Sequence, residues 1–380
     1  MHLIWSTSEL LLGNKPSPGF PIVLNEDMTS CWPANEFLRH YLRRAKVESK
    51  KSWEQIARAI YDYFGFLEAH AAKWDAAPSP NGPNNVAAYR IYSKETVNLR
   101  PNTIRLRLIY ISEFYKFALR RKWIAELPFL FEEVRYNEQG FLAHTSSSGG
   151  KTLSNSEMPR ASSPPPKFLS PPQVRVLLKS ATNPHHRAII RLALATGLRR
   201  QELATFPLTY LSNPSAAPSG RRNLQLDLDP NDGHGMKTKG SKPGTIYIDA
   251  RDMQALWNYR KTFRGQREGT SDHTFRELFL NQDGTPWSQD GKGIEAMVRN
   301  LGKRAGFKVS PHMLRHTFAV RTLIRNRMNP GPINELVFLQ NQLRHSSLTT
   351  TMTYVKAVNK MAEDVILAYS DEIDSWLEGG

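Results

Sequence analysis

Residues 136–167 separate two regions of strong helical periodicity. This segment holds the runs SSSGG, from Ser146, and SSPPP, from Ser162, and its few apolar residues follow no period. Such a composition cannot bury a core, so we interpret 136–167 as a flexible linker that stiffens towards its prolines. A long surface loop within one domain is the alternative. Because both flanks are periodic, two domains are favoured, as the length of 380 residues also suggests.

The region before this linker predicts a small helical domain over residues 46–135. Ser52 is a candidate N-cap with Gln55 in the capping-box position, and apolar residues follow at helical spacing. A second helix is predicted to start after Pro101. Glycines and prolines before residue 30 predict turns and irregular backbone. Residues 1–45 are therefore treated as an N-terminal extension of unclear role.

Cysteine usage, apolar runs and charge exclude several classes of protein. The single cysteine, Cys31, can form neither an intramolecular disulfide nor a cysteine-based zinc site. No run of eighteen apolar residues predicts a membrane span, and the N-terminus does not resemble a signal peptide, so we expect a cytoplasmic protein. Lys and Arg total 51 against 35 Asp and Glu, a formal charge of +16. A surplus of this size indicates a polyanionic partner, although a protein that is merely basic is the alternative.

The region after the linker predicts helices around one hairpin, over residues 168–356. Ser170 is a candidate N-cap followed by proline, and another helix is expected to end near Gly197. Residues 224–228 alternate between leucine and polar side chains, and residues 245–248 are a second strand candidate. The predicted fold class is therefore mainly α with a small antiparallel sheet.

Four short motifs in this second region bring together side chains that can do chemistry. In chain order they are ATGLRRQEL from residue 195, KTKGSK from 237, HMLRHTF from 312 and LRHSSLTTTMTY from 343. The first two are weak signals taken alone, and the third is moderate. The last is strong, because His345 and Tyr354 stand nine residues apart across a run of threonines. All four in this order are very hard to obtain by chance.

Together these motifs resemble the tyrosine recombinase family, also called the phage integrase family. The resemblance is strong over residues 168–356 and weaker over residues 45–130, which look like the family's helical, SAM-like core-binding domain. It implies a site-specific recombinase that cleaves and rejoins DNA. Matched motif by motif, it implies six catalytic residues: Arg199, Lys239, His312, Arg315, His345 and Tyr354.

The residue types suit transfer of a phosphoryl group to a tyrosine. Attack on a phosphodiester adds negative charge to its non-bridging oxygens, and the guanidiniums of Arg199 and Arg315 can offer paired donors to them. His345 and His312 can add hydrogen bonds, and His312 can also take the proton of the attacking Tyr354. The 3′-phosphotyrosyl link retains the energy of the bond it replaces, so rejoining needs neither ATP nor a metal. No cofactor is expected.

Lys239, on the predicted hairpin, is expected to protonate the departing 5′ oxygen. Lys237 and Lys242 are rivals for this role, but the family pattern of Lys-Gly followed by a second basic residue favours Lys239. Glu202 is interpreted as a structural partner that orients an arginine. Without the family pattern, each of these residues has an ordinary structural explanation.

His316 stands four residues after His312, a spacing that zinc ligands on a helix also use. No Glu follows His312 as that motif requires, so we expect no metal and interpret His316 as a packed or supporting histidine. Tyr354 has an ordinary alternative as a buried core tyrosine. Its threonine run has another, as the polar start of a helix.

Cations on and after the second predicted helix are candidates for holding DNA, mostly through phosphates. A polar face that is merely solvated explains them equally well. Many family members have Gly where this chain has Arg344, whose charge we expect beside a phosphate. The candidate DNA-binding residues are Arg105, Arg107, Lys116, Arg120, Arg121, Lys122, Lys242 and Arg344.

Residues 357–380 predict an amphipathic C-terminal tail, with apolar side chains about four residues apart. In the family such a segment often docks onto a neighbouring subunit. The expected partners are therefore double-stranded DNA at a specific recombination site and further copies of the chain, as a homotetramer. Accessory DNA-bending proteins are a further candidate, and the DNA of a bacterial nucleoid is the expected location.

Two other functions share these sequence features. A type IB topoisomerase uses similar chemistry on a single duplex, but the motif spellings look like those of integrases. A DNA-binding protein that has lost catalysis is disfavoured because all six implied catalytic residues are present.

Overall fold

The computed structural model describes residues 1–43, 50–77, 82–135, 151–162, 164–214, 222–328 and 334–359. The chain divides into two compact units, Met1–Ser163 and Pro164–Gly380. Within the described ranges, every helix is too short or too polar to cross a membrane.

The first unit consists of helices and three small antiparallel ribbons. Strand β1 pairs with β4, β2 with β3, and β5 with β6. The elements are β1 (His2–Trp5), β2 (Leu11–Leu12), β3 (Lys15–Pro16), β4 (Pro21–Leu24), α1 (Trp32–Leu42), α2 (Lys50–Ala69), α3 (Asn85–Glu95), α4 (Pro101–Arg120), β5 (Phe131–Arg135) and β6 (Lys151–Asn155).

Strand β4 and helix α1 contribute to the core of this unit. The turns predicted before residue 30 are present, but short paired strands lie between them where irregular backbone was expected. Val23 and Phe37 are fully buried with the apolar faces of α2 and α4. Asn35 joins α1 to β4, since its side chain donates to the Val23 carbonyl and accepts from the Val23 amide, both at 2.8 Å. The glycines lie in the turns between strands, where Gly13 has a φ of 59° and Gly19 of 76°.

Two further predictions for the first unit differ from the structure, and one is confirmed. Helix α2 already contains Lys50, so Ser52 lies inside it and does not cap it. Part of the predicted linker is strand β6, whose Asn155 is buried and donates to the Ser112 hydroxyl at 2.9 Å; residues 136–150 lie outside the described ranges. Helix α4 begins at Pro101 as predicted, because the first helical position needs no N–H donor.

The second unit packs helices against the hairpin β7–β8. Helix α8 continues through a π-helical turn at Arg260–Arg264 into α9. The elements are α5 (Pro171–Ser180), α6 (Pro184–Thr196), α7 (Arg200–Ala204), β7 (Asn223–Leu228), β8 (Gly244–Asp249), α8 (Ala250–Tyr259), α9 (Gly265–Glu268), α10 (Lys292–Arg304), α11 (Pro311–Met328), α12 (Glu335–Leu343) and α13 (348–359).

The sequence signals of the second unit are confirmed. Ser170 caps α5 in a capping box with Gln173, and α6 ends at Gly197, whose φ of 70° favours glycine. In the hairpin, Leu226 pairs with Ile246 and both are buried, as the alternating pattern predicts. The fold class, mainly α with small antiparallel sheets, is as expected. The predicted tail from residue 360 onwards lies outside the described ranges.

Candidate active site

The turn between α6 and α7 brings Arg199 to the site. A Cβ at Gly197 would lie 2.7 Å from the Phe318 ring and 2.8 Å from Leu343, so the turn packs directly against α11 and α12. The Arg199 backbone N–H and guanidinium donate to the two carboxylate oxygens of Glu202, at 2.7 and 3.0 Å. The guanidinium also donates to the Leu343 carbonyl at 3.4 Å.

Arg315, on α11, is only 2% exposed. Its guanidinium donates to the Gly197 carbonyl at 2.6 Å and to the Leu343 carbonyl. Burial, followed by repulsion from Arg199, lowers the pKa of Arg315 to about 9. Because Leu343 accepts from both guanidiniums, one carbonyl group holds two positive charges side by side.

Glu202 supplies negative charge next to the guanidiniums of Arg199 and Arg315. It is fully buried, and burial alone would raise its pKa. Arg344 and Arg199, with their hydrogen bonds, nevertheless hold the pKa of this carboxyl below its usual range. Two guanidiniums therefore pair with one carboxylate, and the charge of Glu202 also acts on Arg315. The excess positive charge favours an anionic ligand.

Arg344 makes different contacts from those that the sequence analysis predicted. Its guanidinium forms an ion pair with the buried Glu202, and its side chain lies directly over Gly244 in the hairpin. The backbone φ of 52° explains why glycine suits this position. Arg344 therefore helps to fix Glu202, the partner of Arg199. Its geometry does not support the prediction that it contacts a phosphate.

Tyr354, on α13, is 2% exposed and its hydroxyl lies 2.8 Å from Nδ1 of His316. Its ring stacks near that of His345, with centroids 6.1 Å apart and planes at 12°. Thr351, one turn before the tyrosine, contacts Nδ1 of His345 through its hydroxyl at 3.0 Å. Burial raises the pKa of Tyr354, while Arg315 and Arg199 oppose that effect.

His312 and Lys239 are the remaining two predicted catalytic residues. His312 lines a cavity with Arg199, Arg315 and the start of α11. Its pKa is lowered by burial and then by Arg315, Arg199 and Lys239, so the Lys239 charge acts on its ring. Lys239 is exposed at the tip of the hairpin. Hydrogen bonds, ring contacts and the shared cavity bring Arg199, His312, Arg315, His345 and Tyr354 together, and Lys239 is linked to them through the effect of its charge on His312.

Comparison with known proteins decides the family. A model described as the phage integrase family matches residues 167–361, more than half of the chain. The chain belongs to the phage integrase family. As a tyrosine recombinase, it is a site-specific recombinase that cleaves and rejoins DNA.

Relatives and solved structures agree with this family membership. Tyrosine recombinase XerC of Bacillus pumilus is 27% identical over 275 residues, 70% of this chain and 74% of the relative. Tyrosine recombinase XerC of Bacillus licheniformis is 25% identical over 339 residues, 87% and 93% of the two chains.

Two solved structures show the same fold. The Tn1549 transposon integrase in complex with transposon right end DNA is 18% identical, covers 88% of this chain and 99% of its own, and has a TM-score of 0.58. The XerH site-specific recombinase in a post-cleavage complex with difH substrate is 17% identical, covers 92% of both chains, and has a TM-score of 0.56.

The predicted DNA contacts of the first unit divide into two groups. Four are engaged within the unit: Arg107 pairs with Asp62, Lys116 with Glu113, Arg105 donates to the Pro159 carbonyl, and Arg121 lies over the Phe117 ring. Arg120 and Lys122 are exposed and form no ion pair within the described residues. These two are the better candidates for binding phosphates.

Sequence reasoning missed one supporting residue of the site, Gln342, and the contact that His316 makes. Gln342 is buried and ties the hairpin to the helices: it accepts from the Tyr247 amide at 2.8 Å and donates to the carbonyls of Tyr247 and Thr196 at 3.0 and 3.3 Å. A single glutamine in a helix carries no signal of this. His316 was interpreted as a packed or supporting histidine, but nothing in its spacing indicated contact with Tyr354.

Proposed function

We propose that Tyr354 is the nucleophile of this recombinase and that Arg199, Lys239, His312, Arg315 and His345 complete its catalytic set. The observation that carries the proposal is the Leu343 carbonyl, which accepts hydrogen bonds from both guanidiniums. Leu343 begins the segment that leads through His345 to Tyr354. The phosphate-binding charges and the tyrosine are therefore held by one short piece of backbone.

The two guanidiniums are the proposed holders of the scissile phosphate. Each keeps donors beyond those given to carbonyl and carboxylate oxygens of the protein, because a guanidinium has five N–H groups. Both side chains line the cavity that also contains His312. In the transition state the non-bridging oxygens gain negative charge, and fixed positive groups stabilise that state more than the ground state. His312 and His345 add hydrogen bonds to the same oxygens.

Lys239 is the proposed donor of a proton to the departing 5′ oxygen. Its rival Lys237 is hydrogen-bonded to Gln289, and the charge that acts on His312 is that of Lys239. Within the described residues the Lys239 ammonium forms neither a hydrogen bond nor an ion pair, so it is available to DNA. Lys242 is exposed on the same hairpin and is a proposed phosphate contact.

The covalent step conserves a phosphoester bond. The Tyr354 oxygen bonds to phosphorus as the bond to the 5′ oxygen breaks, which leaves a 3′-phosphotyrosyl link and a free 5′-hydroxyl. A 5′-hydroxyl from another strand reverses the step, so strands are exchanged without ATP.

The first unit is the proposed second half of a clamp around double-stranded DNA, with Arg120 and Lys122 on phosphates. We further propose that the chain acts as a homotetramer on that DNA and that it comes from a mobile element or replicon. Accessory DNA-bending proteins are proposed partners, and the proposed location is cytoplasmic. The family membership and the net charge of +16 support it.

A cleavage assay tests the assignment. Purified protein is incubated with a nicked duplex that carries the recombination site and traps the cleaved strand. We expect covalent adducts without added magnesium. Tyr354→Phe should abolish them and leave DNA affinity within about twofold. Adducts formed by Tyr354→Phe would refute the assignment.

The same preparation separates the other functions. Relaxation of supercoiled plasmid without sequence preference would favour a topoisomerase. Stable binding with no adduct from the unmodified chain would favour a protein that has lost catalysis.

A further inference from the structure

The hydroxyl of Tyr354 is closed off from solvent. The residue is 2% exposed, and the partner of its hydroxyl is Nδ1 of His316 at 2.8 Å. A phenol becomes an effective nucleophile when its proton leaves. Because water has little access here, the proton must pass to a group of the protein, and the group in contact with it is His316.

His312 and His316 face different parts of the site. They lie one turn apart on α11, and their ring centroids are 4.2 Å apart. His312 lines the cavity with the two guanidiniums, whereas His316 contacts the tyrosine hydroxyl. The sequence suggested that one histidine, His312, both binds the phosphate and takes the proton. The geometry divides these two tasks.

We propose that His316 is a catalytic residue that accepts the proton of Tyr354 during cleavage and returns it during rejoining. This inference rests on the proposed role of Tyr354 as the nucleophile. The neutral ring, with its hydrogen on Nε2, accepts from the tyrosine through Nδ1. In cleavage the Tyr354 O–H bond breaks and its proton moves to His316. The Tyr354 oxygen then bonds to phosphorus, and the departing 5′ oxygen takes a proton from Lys239.

The charges around His316 make this transfer depend on DNA. His312 and Arg315 on its own helix, Tyr354 on α13 and His345 before α13 face its ring. Without DNA, burial and then His312 and Arg315 lower the pKa of His316 to about 4, so the ring is neutral and a weak base. A phosphate seated on Arg315 offsets part of that positive charge and favours protonation of the ring. The base therefore strengthens when substrate is bound.

The test is single-turnover cleavage of the trapping duplex by His316→Asn between pH 6 and 9. Asparagine places an amide near the position of Nδ1 but cannot take the proton. We expect cleavage to slow about 10²-fold or more at pH 7 with DNA affinity unchanged. The deficit should shrink as pH rises, by up to about tenfold per pH unit, because the equilibrium fraction of Tyr354 phenolate then grows without a protein base.

His312→Asn is the matched control, since it is the same change one turn away. Its deficit should stay constant with pH, because the lost group binds phosphate. Thermal unfolding monitors folding, and His316→Gln is the second variant if His316→Asn is unstable.

A wild-type rate in the folded His316 variant, a faster rate, or a deficit that does not change with pH would overturn the inference. The same assay with Tyr354→Phe keeps the two claims apart. If Tyr354→Phe forms adducts, the proposed function fails. If it forms none while His316→Asn cleaves like the unmodified chain, only the role of His316 fails.

Discussion

The proposed active site has a buried side, formed by α7, α11 and residues 343–354, and an exposed side on the hairpin β7–β8. Around α7, α11 and residues 343–354, Arg199, Arg315 and Tyr354 are buried or half-buried. Protein partners hold them: Arg315 by two carbonyls, Arg199 by Glu202, Tyr354 by His316. On the hairpin, Lys239 is exposed. The groups that stabilise developing charge must be fixed before the reaction. A proton donor must instead reach an oxygen of the DNA, which solvent exposure permits.

The largest effect on the rate of adduct formation is expected from substitution of Arg315 on the buried side. Arg315→Ala should slow adduct formation about 10³-fold, because paired donors to the phosphate are lost. The unfolding free energy should also fall, since the Gly197 and Leu343 carbonyls lose a donor. Arg315→Lys keeps the charge but not the planar fork and should remain strongly impaired. A near-normal rate for Arg315→Lys would show that only charge matters here.

On the exposed side, Lys239→Ala removes the proposed proton donor. We expect cleavage to slow about 10²-fold, while the unfolding free energy changes by about 0.5 kcal/mol or less. A duplex with sulfur in place of the 5′ bridging oxygen should restore the rate, because a thiolate leaves without a proton. The matched control is Lys237→Ala, which should cleave normally. If that control shows the larger defect, or sulfur fails to rescue, the general acid is another group.

One glycine on each side allows a direct comparison of their stability. Gly197 lies on the buried side and Gly240 on the exposed hairpin, and both have a φ of 70°. Alanine at Gly240 meets nothing within 4 Å and should cost about 1–2 kcal/mol of unfolding free energy through backbone strain alone. Alanine at Gly197 also overlaps Phe318 and Leu343, so its cost should be about 1–3 kcal/mol greater. Urea denaturation measures both. Equal costs would mean that the buried turn adjusts freely.

The smallest effect concerns pH. Burial first, and then Arg315, lower the pKa of His345 to about 3, so the folded chain binds fewer protons than the unfolded chain below pH 6.5. The unfolding free energy should therefore fall as pH drops from 7 to 5. His345→Gln should make this fall shallower, whereas Lys237→Ala on the hairpin should leave it unchanged. An unchanged slope for His345→Gln would contradict the burial of a neutral ring.

Local signals predicted much of the second unit. The cap at Ser170, the end of α6 at Gly197 and the alternating leucines of β7 depend on neighbouring residues, and each is confirmed. The resemblance named six residues, of which the fold brings Arg199, His312, Arg315, His345 and Tyr354 together. Contacts between distant residues were not predictable: Arg344 with Glu202, Gln342 with Tyr247 and His316 with Tyr354 each join separate elements.

The first unit was harder to predict because its N-terminal strands are short and turn-rich. Glycines and prolines at residues 13–21 predict turns and irregular backbone. Gly13 and Gly19 do lie in turns, but these turns connect strands that the sequence did not predict. The apolar residues of these strands are buried only together with α2 and α4, at a distance that a local pattern does not record. Strand β6 was read as linker for the same reason, since its partner β5 precedes a long intervening segment.

The central claim is that Tyr354, fixed on the buried side, becomes joined to DNA. Its most direct test is to trap the adduct on a nicked duplex, digest the protein and sequence the DNA-linked peptide by mass spectrometry. The account predicts a single modified residue, Tyr354, with the 3′ phosphate on its phenol oxygen. Modification of any other residue, such as the exposed Tyr247 of the hairpin, would contradict it.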